Sequence, residues 1–260
     1  MEVKAARTYN SNLLKGTGLI QETLTLLESY EENESLSDFH QRIFESGLLS
    51  KSTEGRIKDI VKNVFAIRYL RYDLPIPIYL KEMRANYASM DVIIQLFYIY
   101  TCRANPILRD FVEQVYFPLT SKSFSALKAS DPKDFIKDAL LDERILVSWS
   151  DSTISKVSEH IIATLIDFRL IERNKTFLPY RLIELSANYL IHELHFRGFS
   201  DYDIWHHEDW KLFGLREEEV IKEIEKISFS GAFIFQFSGE LLRISWQYNN
   251  MEEFITNECN

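Results

Sequence analysis

The hydrophobic positions of this chain recur mostly three or four residues apart, the spacing that places side chains on one face of a helix. Before Pro75 and Pro77, which cannot continue a helix, the pattern predicts three helices. The first follows Gly18, the second runs from an N-cap at Ser37 to about Glu45 and stops at Gly47, and the third starts within residues 50–53 and runs to about Arg71.

The helical spacing continues through the rest of the chain, with two segments that predict strands. Residues 78–148 predict three or four helices, and further helices are predicted from Ser150 or Asp151 to about Phe168, over 180–196 and over 215–227. Residues 170–179 have hairpin potential, and two aromatic runs flank Ser238-Gly239 within 232–246, which predicts a β-hairpin.

These elements define the expected fold class and its organisation. The fold is predicted to be mainly α: a compact helical protein with helix-turn-helix or winged-helix character and a C-terminal β-hairpin. We divide it into an N-terminal helical region (1–77), a middle helical region (78–148) and a C-terminal region (149–260), which could form one globule.

The composition excludes several classes of protein. Hydrophobic residues make up 46% of the chain and glycines number only eight, which is typical of a folded helical protein. The two cysteines, Cys102 and Cys259, have no C-x-x-C spacing and do not predict a zinc site or a disulfide framework. The most apolar run, 92–102, is far shorter than the ~20 residues of a membrane-spanning helix. We therefore expect a cytoplasmic protein without membrane insertion.

The charge is distributed unevenly along the chain. A net charge of −9 argues against binding to nucleic acid, because phosphates are neutralised by Lys and Arg. Residues 51–84, however, contain eight basic and four acidic residues, a net of +4, whereas 151–260 contain 11 basic and 19 acidic residues, a net of −8. A DNA-binding surface on this protein must therefore be local.

The second and third helices, with the turn at Gly47, have the layout of a helix-turn-helix. At about 100° per residue, Lys51, Lys58 and Lys62 lie in one exposed row of the third helix, with Tyr69 further along. The opposite, buried stripe comprises Ile57, Ile60, Val61, Val64 and Ile67. The lysine row fits a phosphate-contacting surface. On the sequence pattern alone an ordinary solvated helix face is the favoured interpretation.

A second candidate surface starts at residue 150. Ser150 or Asp151 caps a helix whose first turns display Ser152, Thr153 and Lys156, and hydroxyl and amide groups at a helix amino terminus suit phosphate. Arg173 lies in the following hairpin segment, the expected wing. The alternative is simply a capped core helix.

No catalytic machinery is predicted. Gly16-Thr-Gly18 lacks the third glycine, the preceding strand and the lysine of a phosphate-binding loop. His192, His195 and the run 206–209 match no metal motif and are interpreted as surface or helix-cap residues. A metal-dependent nuclease would need a carboxylate or histidine cluster that these residues do not supply. We predict no enzyme, no metal site and no cofactor.

Several blocks, spread in order over nearly the whole chain, resemble the BrxA family, a component of BREX phage-defence systems. They are residues 9–23, 147–157, 209–215, 233–237 and 244–248. The resemblance implies a small, mostly helical, non-enzymatic DNA-binding protein with helix-turn-helix or winged-helix character. It would act beside larger BREX proteins, among them a methyltransferase, an ATPase and a phosphatase-like protein.

Two hypotheses follow for the function. The first is binding to double-stranded DNA, with little sequence preference, through a local basic surface. The predicted DNA contacts are Lys51, Arg56, Lys58, Lys62, Arg68, Arg71, Lys156 and Arg173. The alternative is an adaptor whose acidic, aromatic C-terminal half docks onto other BREX proteins, with Trp205, Trp210, Phe213 and Trp246 as anchors if they are exposed. Core packing is the other interpretation of these four aromatic residues.

Overall fold

The structure is a computed structural model that describes residues 7–49, 52–86, 88–122, 125–239 and 241–258. Within these residues the fold is mainly helical, with one C-terminal hairpin of two strands. The helices are α1 (Ile20–Ser29), α2 (Leu36–Ser46), α3 (54–69), α4 (Ile76–Ala85), α5 (Met90–Ala104), α6 (106–121), α7 (Asp131–Leu141), α8 (Asp151–Asp167), α9 (Glu184–Phe196), α10 (Asp201–Trp205), α11 (Glu217–Ser228) and α12 (Met251–Glu258). Two short 3-10 helices cover Asn12–Lys15 and Glu208–Phe213.

The predicted fold class is confirmed, including the C-terminal hairpin. Strand β1 (Phe233–Ser238) pairs antiparallel with β2 (Leu241–Trp246), from Phe233 opposite Trp246 to Ser238 opposite Leu241. Gly239 in the turn has a φ of +64°, a conformation that glycine adopts without strain. One face of the hairpin enters the core, since Phe233, Leu242 and Ile244 are buried.

Several helix boundaries follow the predicted capping residues. Gly47 ends α2 in the left-handed conformation, and Thr53 and Ser150 cap α3 and α8 by accepting hydrogen bonds from backbone N–H groups. The predicted N-cap of α2 is wrong by two residues: Ser35, not Ser37, accepts a bond of 3.1 Å from the backbone of Asp38. Helix α12 was not predicted.

Helix α5 is the centre of the core. All of its residues from Val92 to Cys102 are buried, and α3, α4, α6 and α9 pack around it. The most apolar run of the sequence is thus an interior helix of a globular core. Among the helices that the structure describes, none has the length and apolar character needed to cross a membrane.

The hairpin potential of residues 170–179 is realised only as single bridges. Ile171 pairs antiparallel with Phe177, and Thr176 pairs antiparallel with Ala126. Tyr116 donates from its hydroxyl to the Leu170 carbonyl at 2.9 Å, which holds this turn against α6. A winged-helix assignment therefore remains a prediction.

Candidate nucleic-acid interface

Helix α2 ends at Gly47 and packs against α3, the next helix along the chain. Phe39 and Ile43 of α2 are fully buried, and the ring of Phe39 lies 5.7 Å from that of Phe65 in α3. The predicted buried stripe of α3 is largely observed, because Ile57, Ile60, Val61 and Val64 are all buried. Lys51, the first predicted contact, lies outside the described residues.

The exposed side of α3 carries Lys58 and Lys62. Lys58 is exposed and Lys62 is half-buried, and among the residues that the structure describes neither forms an ion pair. His40 of α2 lies within their electrostatic reach: its pKa is lowered by burial and by the charges of Lys62 and Lys58, against an opposing effect of Glu54. We call Arg56, Lys58, Lys62 and His40 the lysine face.

Arg56 lies at the edge of the lysine face and is anchored. Its guanidinium donates to the backbone carbonyl of Lys15, in the short helix Asn12–Lys15. The Lys15 ammonium in turn lies 3.1 Å from Asp59, the acid next to Lys58. Burial would raise the pKa of Asp59, but hydrogen bonds from Asn63 and Lys15 outweigh it and lower the pKa. Asp59 is therefore paired with Lys15, and the charges of Lys58 and Lys62 remain available to a partner outside the chain.

Arg68 does not lie on this surface. Its side chain is buried, with 2% of the residue exposed, and it donates to the backbone carbonyls of Gly16, Thr17 and Gly18 at 3.0, 2.6 and 3.1 Å. Because its donors are occupied inside the protein, a phosphate cannot reach them. We therefore leave Arg68 out of the interface.

The position of Arg68 has a local cause in the geometry of α3. Residues Asp59–Phe65 form a wider turn with i→i+5 hydrogen bonds, between α-helical segments Glu54–Lys58 and Ala66–Tyr69. Such a turn rotates the residues that follow it relative to a continuous α-helix. The expectation that Tyr69 continues the lysine row is therefore wrong, since Tyr69 is fully buried.

The remaining basic residues of 51–84 do not belong to the lysine face either. Arg71, beyond the end of α3, is exposed and its guanidinium lies 5.3 Å from the ring centroid of Tyr72. On α4, Lys81 donates to the Glu28 carbonyl at 2.9 Å, and Arg84 pairs with the Glu28 carboxylate. The local excess of positive charge is thus concentrated on the first half of α3.

Lys156 and Arg173, the second predicted group, are both exposed. The segment 13–18 lies between α3 and α8 and holds them together. His160 of α8 contacts the Leu13 carbonyl at 3.1 Å, and Asp167 accepts from the Gly18 N–H at 2.8 Å. On α3, Arg56 contacts the start of this segment and Arg68 contacts its end, in the same order as His160 and Asp167 on α8. Lys156 therefore lies toward the end of α8 that neighbours the first half of α3.

Gly18 is required at this junction. A Cβ atom built on Gly18 would lie 2.5 Å from the Cβ of Asp167, far inside van der Waals contact. The Gly16-Thr-Gly18 run, which does not predict a phosphate loop, therefore serves to let the segment pass closely between α3 and α8.

The histidines and aromatic residues of the C-terminal half belong mostly to the core. His192 is fully buried and stacks on Phe254 with ring centroids 4.2 Å apart, so its interpretation as a surface or helix-cap residue is wrong. Burial lowers the pKa of His192 to about 4. Trp210 and Phe213 are buried, whereas Trp205 and Trp246 are half-buried. Within the described residues no group of His, Cys, Asp and Glu side chains could hold a metal ion.

A cluster of arginines around Asp209 is not predicted by the sequence pattern. Arg103 and Arg109 are almost fully buried and share this carboxylate, which is itself completely buried. One feature of the sequence points to it: Arg103 directly follows the most apolar run, 92–102, and Arg109 lies in the apolar segment after Pro106, where a charged residue needs a partner.

Comparisons with known proteins identify relatives of this fold. A family model described as BrxA matches residues 7–193. The crystal structure of an uncharacterized protein from Magnetospirillum magneticum is similar with a TM-score of 0.60 and 16% identity, over 73% of this chain and 95% of that chain, which is a likeness of fold alone. No curated protein matches the chain.

Proposed function

The chain belongs to the BrxA family and is thus a BREX-associated defence component, and from that premise we propose that it binds double-stranded DNA through the lysine face. The observation that carries the proposal is the position of Lys58 and Lys62, which extend from the second helix of a helix pair without an ion pair among the described residues. Basic side chains in this state are free to replace the counterions of a duplex.

The contacts are proposed to be made to the phosphate backbone. Lysine ammonium groups are flexible point charges that neutralise phosphates and carry little information about base sequence. Thr53 and the exposed Gly55 leave the amino terminus of α3 uncrowded, since a Cβ at Gly55 would meet nothing within 4 Å. Lys156 of α8 supplies a second contact on the adjoining side, and Arg173 extends the surface from the 170–179 turn.

The charge-reversed variant Lys58→Glu with Lys62→Glu tests this proposal. In a gel shift with a short labelled duplex we expect the shift to be abolished, and in a salt titration the slope of log affinity against log salt should fall by about 2, since roughly one phosphate contact is lost for each lysine. The circular-dichroism spectrum should be unchanged because neither side chain is in the core.

A matched control comes from α7. Lys133 and Lys137 have the same spacing as Lys58 and Lys62, one half-buried and one exposed, and they lie among the acids Asp134 and Asp138. The variant Lys133→Glu with Lys137→Glu should bind DNA as the wild type does. Equal loss of binding in both variants, or full binding by the Lys58/Lys62 variant, would show that the site assignment is wrong.

A groove on the C-terminal half supports the adaptor as a second candidate function. It encloses about 1000 Å³ between α6 and the segment 205–220, and its lining includes Trp205, Phe117 and the three acids 217–219. Glu217 and Glu218 are exposed, while Glu219 closes a capping box with Arg216. The acidic, aromatic character of this groove fits a basic, partly apolar segment of another BREX protein.

Co-expression with other BREX proteins tests the adaptor. We expect Glu217→Lys with Glu218→Lys to lose a co-purifying BREX protein, and the control Glu31→Lys with Glu32→Lys, two adjacent exposed acids of the α1–α2 loop, to retain it. Retention of the partner by both variants rejects the groove as its docking site. Loss of the partner together with unchanged DNA binding would separate this function from the first.

A further inference from the structure

Five arginines from distant parts of the sequence converge on one cavity. The cavity has a volume of about 200 Å³ and opens between the N-terminal segment, the end of α3, the α5–α6 junction and the end of α9. Its lining contains Arg7, Arg71, Arg103, Arg109 and Arg197, together with Tyr72, His207, Glu208 and Asp209. We call it the arginine cavity.

The back of the arginine cavity is a rigid network of buried ion pairs. Arg103 donates to both carboxylate oxygens of Glu193 at 2.8 Å each, and its Nε donates to Asp209 at 2.7 Å. Asp209 also accepts from Arg109. Burial alone would raise the pKa of Asp209, but Arg103 and Arg109 outweigh it and hold the pKa well below its usual range. Both arginines are therefore fixed in place.

At the front of the cavity, beside Tyr72, the positive charge is less fully neutralised by carboxylates. The guanidinium carbons of Arg71, Arg103 and Arg197 lie 5.3, 5.8 and 5.2 Å from the ring centroid of Tyr72. Arg197 shares Glu193 with Arg103, at 3.2 Å. Arg71 donates to the Tyr72 hydroxyl at 3.2 Å, and among the described residues it has no carboxylate partner. Arg103 and Arg197 are paired with the buried Glu193, whereas the charge of Arg71 is not compensated by a carboxylate of the described residues, so Arg71 favours an anion at this position.

The carboxylates are concentrated at the back of the cavity, away from Arg71. Glu193, Asp209 and Asp110 are almost fully buried behind the wall, where they orient Arg103, Arg109 and Arg7, and Glu113 lies beside Arg109. Among the described residues that line the cavity, Glu208 is the acid with substantial exposure, 30% of its side chain, and it contacts Arg7 at 2.7 Å and Arg109 at 3.6 Å. The Tyr72 side of the opening is thus lined by Arg71 and Arg197.

We propose that the arginine cavity binds a terminal phosphate group. Guanidinium groups fork around phosphate oxygens. Here the ion pair with the buried Glu193 orients Arg197, and Arg71 has no carboxylate partner among the described residues. A cavity of about 200 Å³ admits the phosphates of a small molecule while any attached nucleoside stays outside. The source of the phosphate is a free nucleotide or inorganic anion, or the phosphorylated end of a nucleic acid strand. This site goes beyond duplex binding, since it does not require the lysine face.

Isothermal titration of the full chain with pyrophosphate and with ATP tests the proposal. We expect Arg71→Gln and Arg197→Gln each to weaken binding at least about tenfold, the effect of losing one charge-assisted contact. Arg71 is exposed, so its replacement leaves the fold intact, which circular dichroism checks. The matched control is Arg243→Gln. Arg243 is an exposed arginine of β2 that does not line the cavity, so this variant should bind as the wild type does.

The remaining arms separate the sources of phosphate and the two proposals. A 5′-phosphorylated single strand that binds more tightly than its 5′-hydroxyl counterpart, in an Arg71-dependent way, identifies a nucleic acid end, whereas binding of pyrophosphate and ATP identifies a small anion. The Lys58→Glu/Lys62→Glu variant should retain this binding even when its duplex binding is lost. Absence of binding to all of these probes, or wild-type affinity in both Arg71→Gln and Arg197→Gln, overturns the proposal.

Discussion

The lysine face and the back of the arginine cavity are both rich in basic side chains, but they differ in what surrounds the charge. Lys58 and Lys62 meet solvent and have no ion pair among the described residues. Arg103 and Arg109 are 7% and 3% exposed at their side chains and meet the fully buried carboxylates Glu193 and Asp209. The lysine charges are available to a binding partner, whereas the charges of Arg103 and Arg109 are neutralised by ion pairs inside the fold.

This difference separates binding from stability. A charge in solvent contributes little to folding, because high dielectric and mobile ions weaken its interactions. A buried charge costs several kcal/mol of desolvation and is stable only while its partners remain, so removing one partner is strongly destabilising. Substitutions on the lysine face should therefore change DNA binding, and substitutions at the back of the arginine cavity should change the free energy of unfolding.

The largest effect is expected for Asp209→Asn. The substitution removes the carboxylate that Arg103 and Arg109 share and leaves two buried guanidiniums undercompensated. We expect the free energy of unfolding, measured by urea denaturation, to fall by about 3–5 kcal/mol.

The control for this prediction is an exposed acid. Asp142→Asn removes a carboxylate that is 63% exposed and lies 3.1 Å from Arg144, so its cost should stay below about 1 kcal/mol. Similar stability of the Asp209 and Asp142 variants would remove the basis of the comparison between buried and exposed charge.

Much of the fold could be predicted because local signals agree with it. Apolar spacing marked α8, Gly47 and Ser150 marked helix ends, and the aromatic runs around Gly239 marked the hairpin. Helix α12 was missed because it spans only Met251–Glu258, too few residues for its two apolar turns to stand out.

The site was harder to predict because contacts distant in sequence decide it. Arg68 looks like a surface cation, yet it is buried by the carbonyls of Gly16 to Gly18, some fifty residues away along the chain. The wide turn at Asp59–Phe65 then breaks the helical phase on which the lysine row depended. Lys58 precedes that turn and Lys62 lies within it, so both stay outside the core as the helical phase predicts, whereas Tyr69, which follows the turn, is buried.

A smaller effect is expected from the pH dependence of stability, and His192 is its source. Burial lowers the pKa of His192 to about 4 in the folded protein, below its unfolded value of about 6.5. Between these values the unfolded state binds a proton that the folded state does not, so the free energy of unfolding falls as the pH falls. By pH 4 the loss reaches about 3 kcal/mol.

The variant His192→Phe isolates this contribution. Phenylalanine keeps the aromatic packing against Phe254 and Trp246 and cannot take up a proton. Urea denaturation of both proteins from pH 7 to pH 4 should give curves that diverge, with the wild type losing more stability at low pH. Parallel curves would show that His192 is protonated in the folded state as readily as in the unfolded chain.

The smallest effect on stability, and the sharpest contrast with Asp209, is expected for Lys58→Gln with Lys62→Gln. Each side chain leaves the core contacts of α3 untouched, so each substitution should change the free energy of unfolding by no more than about 0.5 kcal/mol. The removal of two positive charges should still lower the salt slope of duplex binding by about 2, because neutral glutamine releases no counterions. Asp209→Asn should do the reverse: at a temperature where it stays folded, its duplex affinity should equal that of the wild type. If the glutamine variant instead unfolds more easily while binding DNA normally, these lysines stabilise the fold and the duplex must meet another surface.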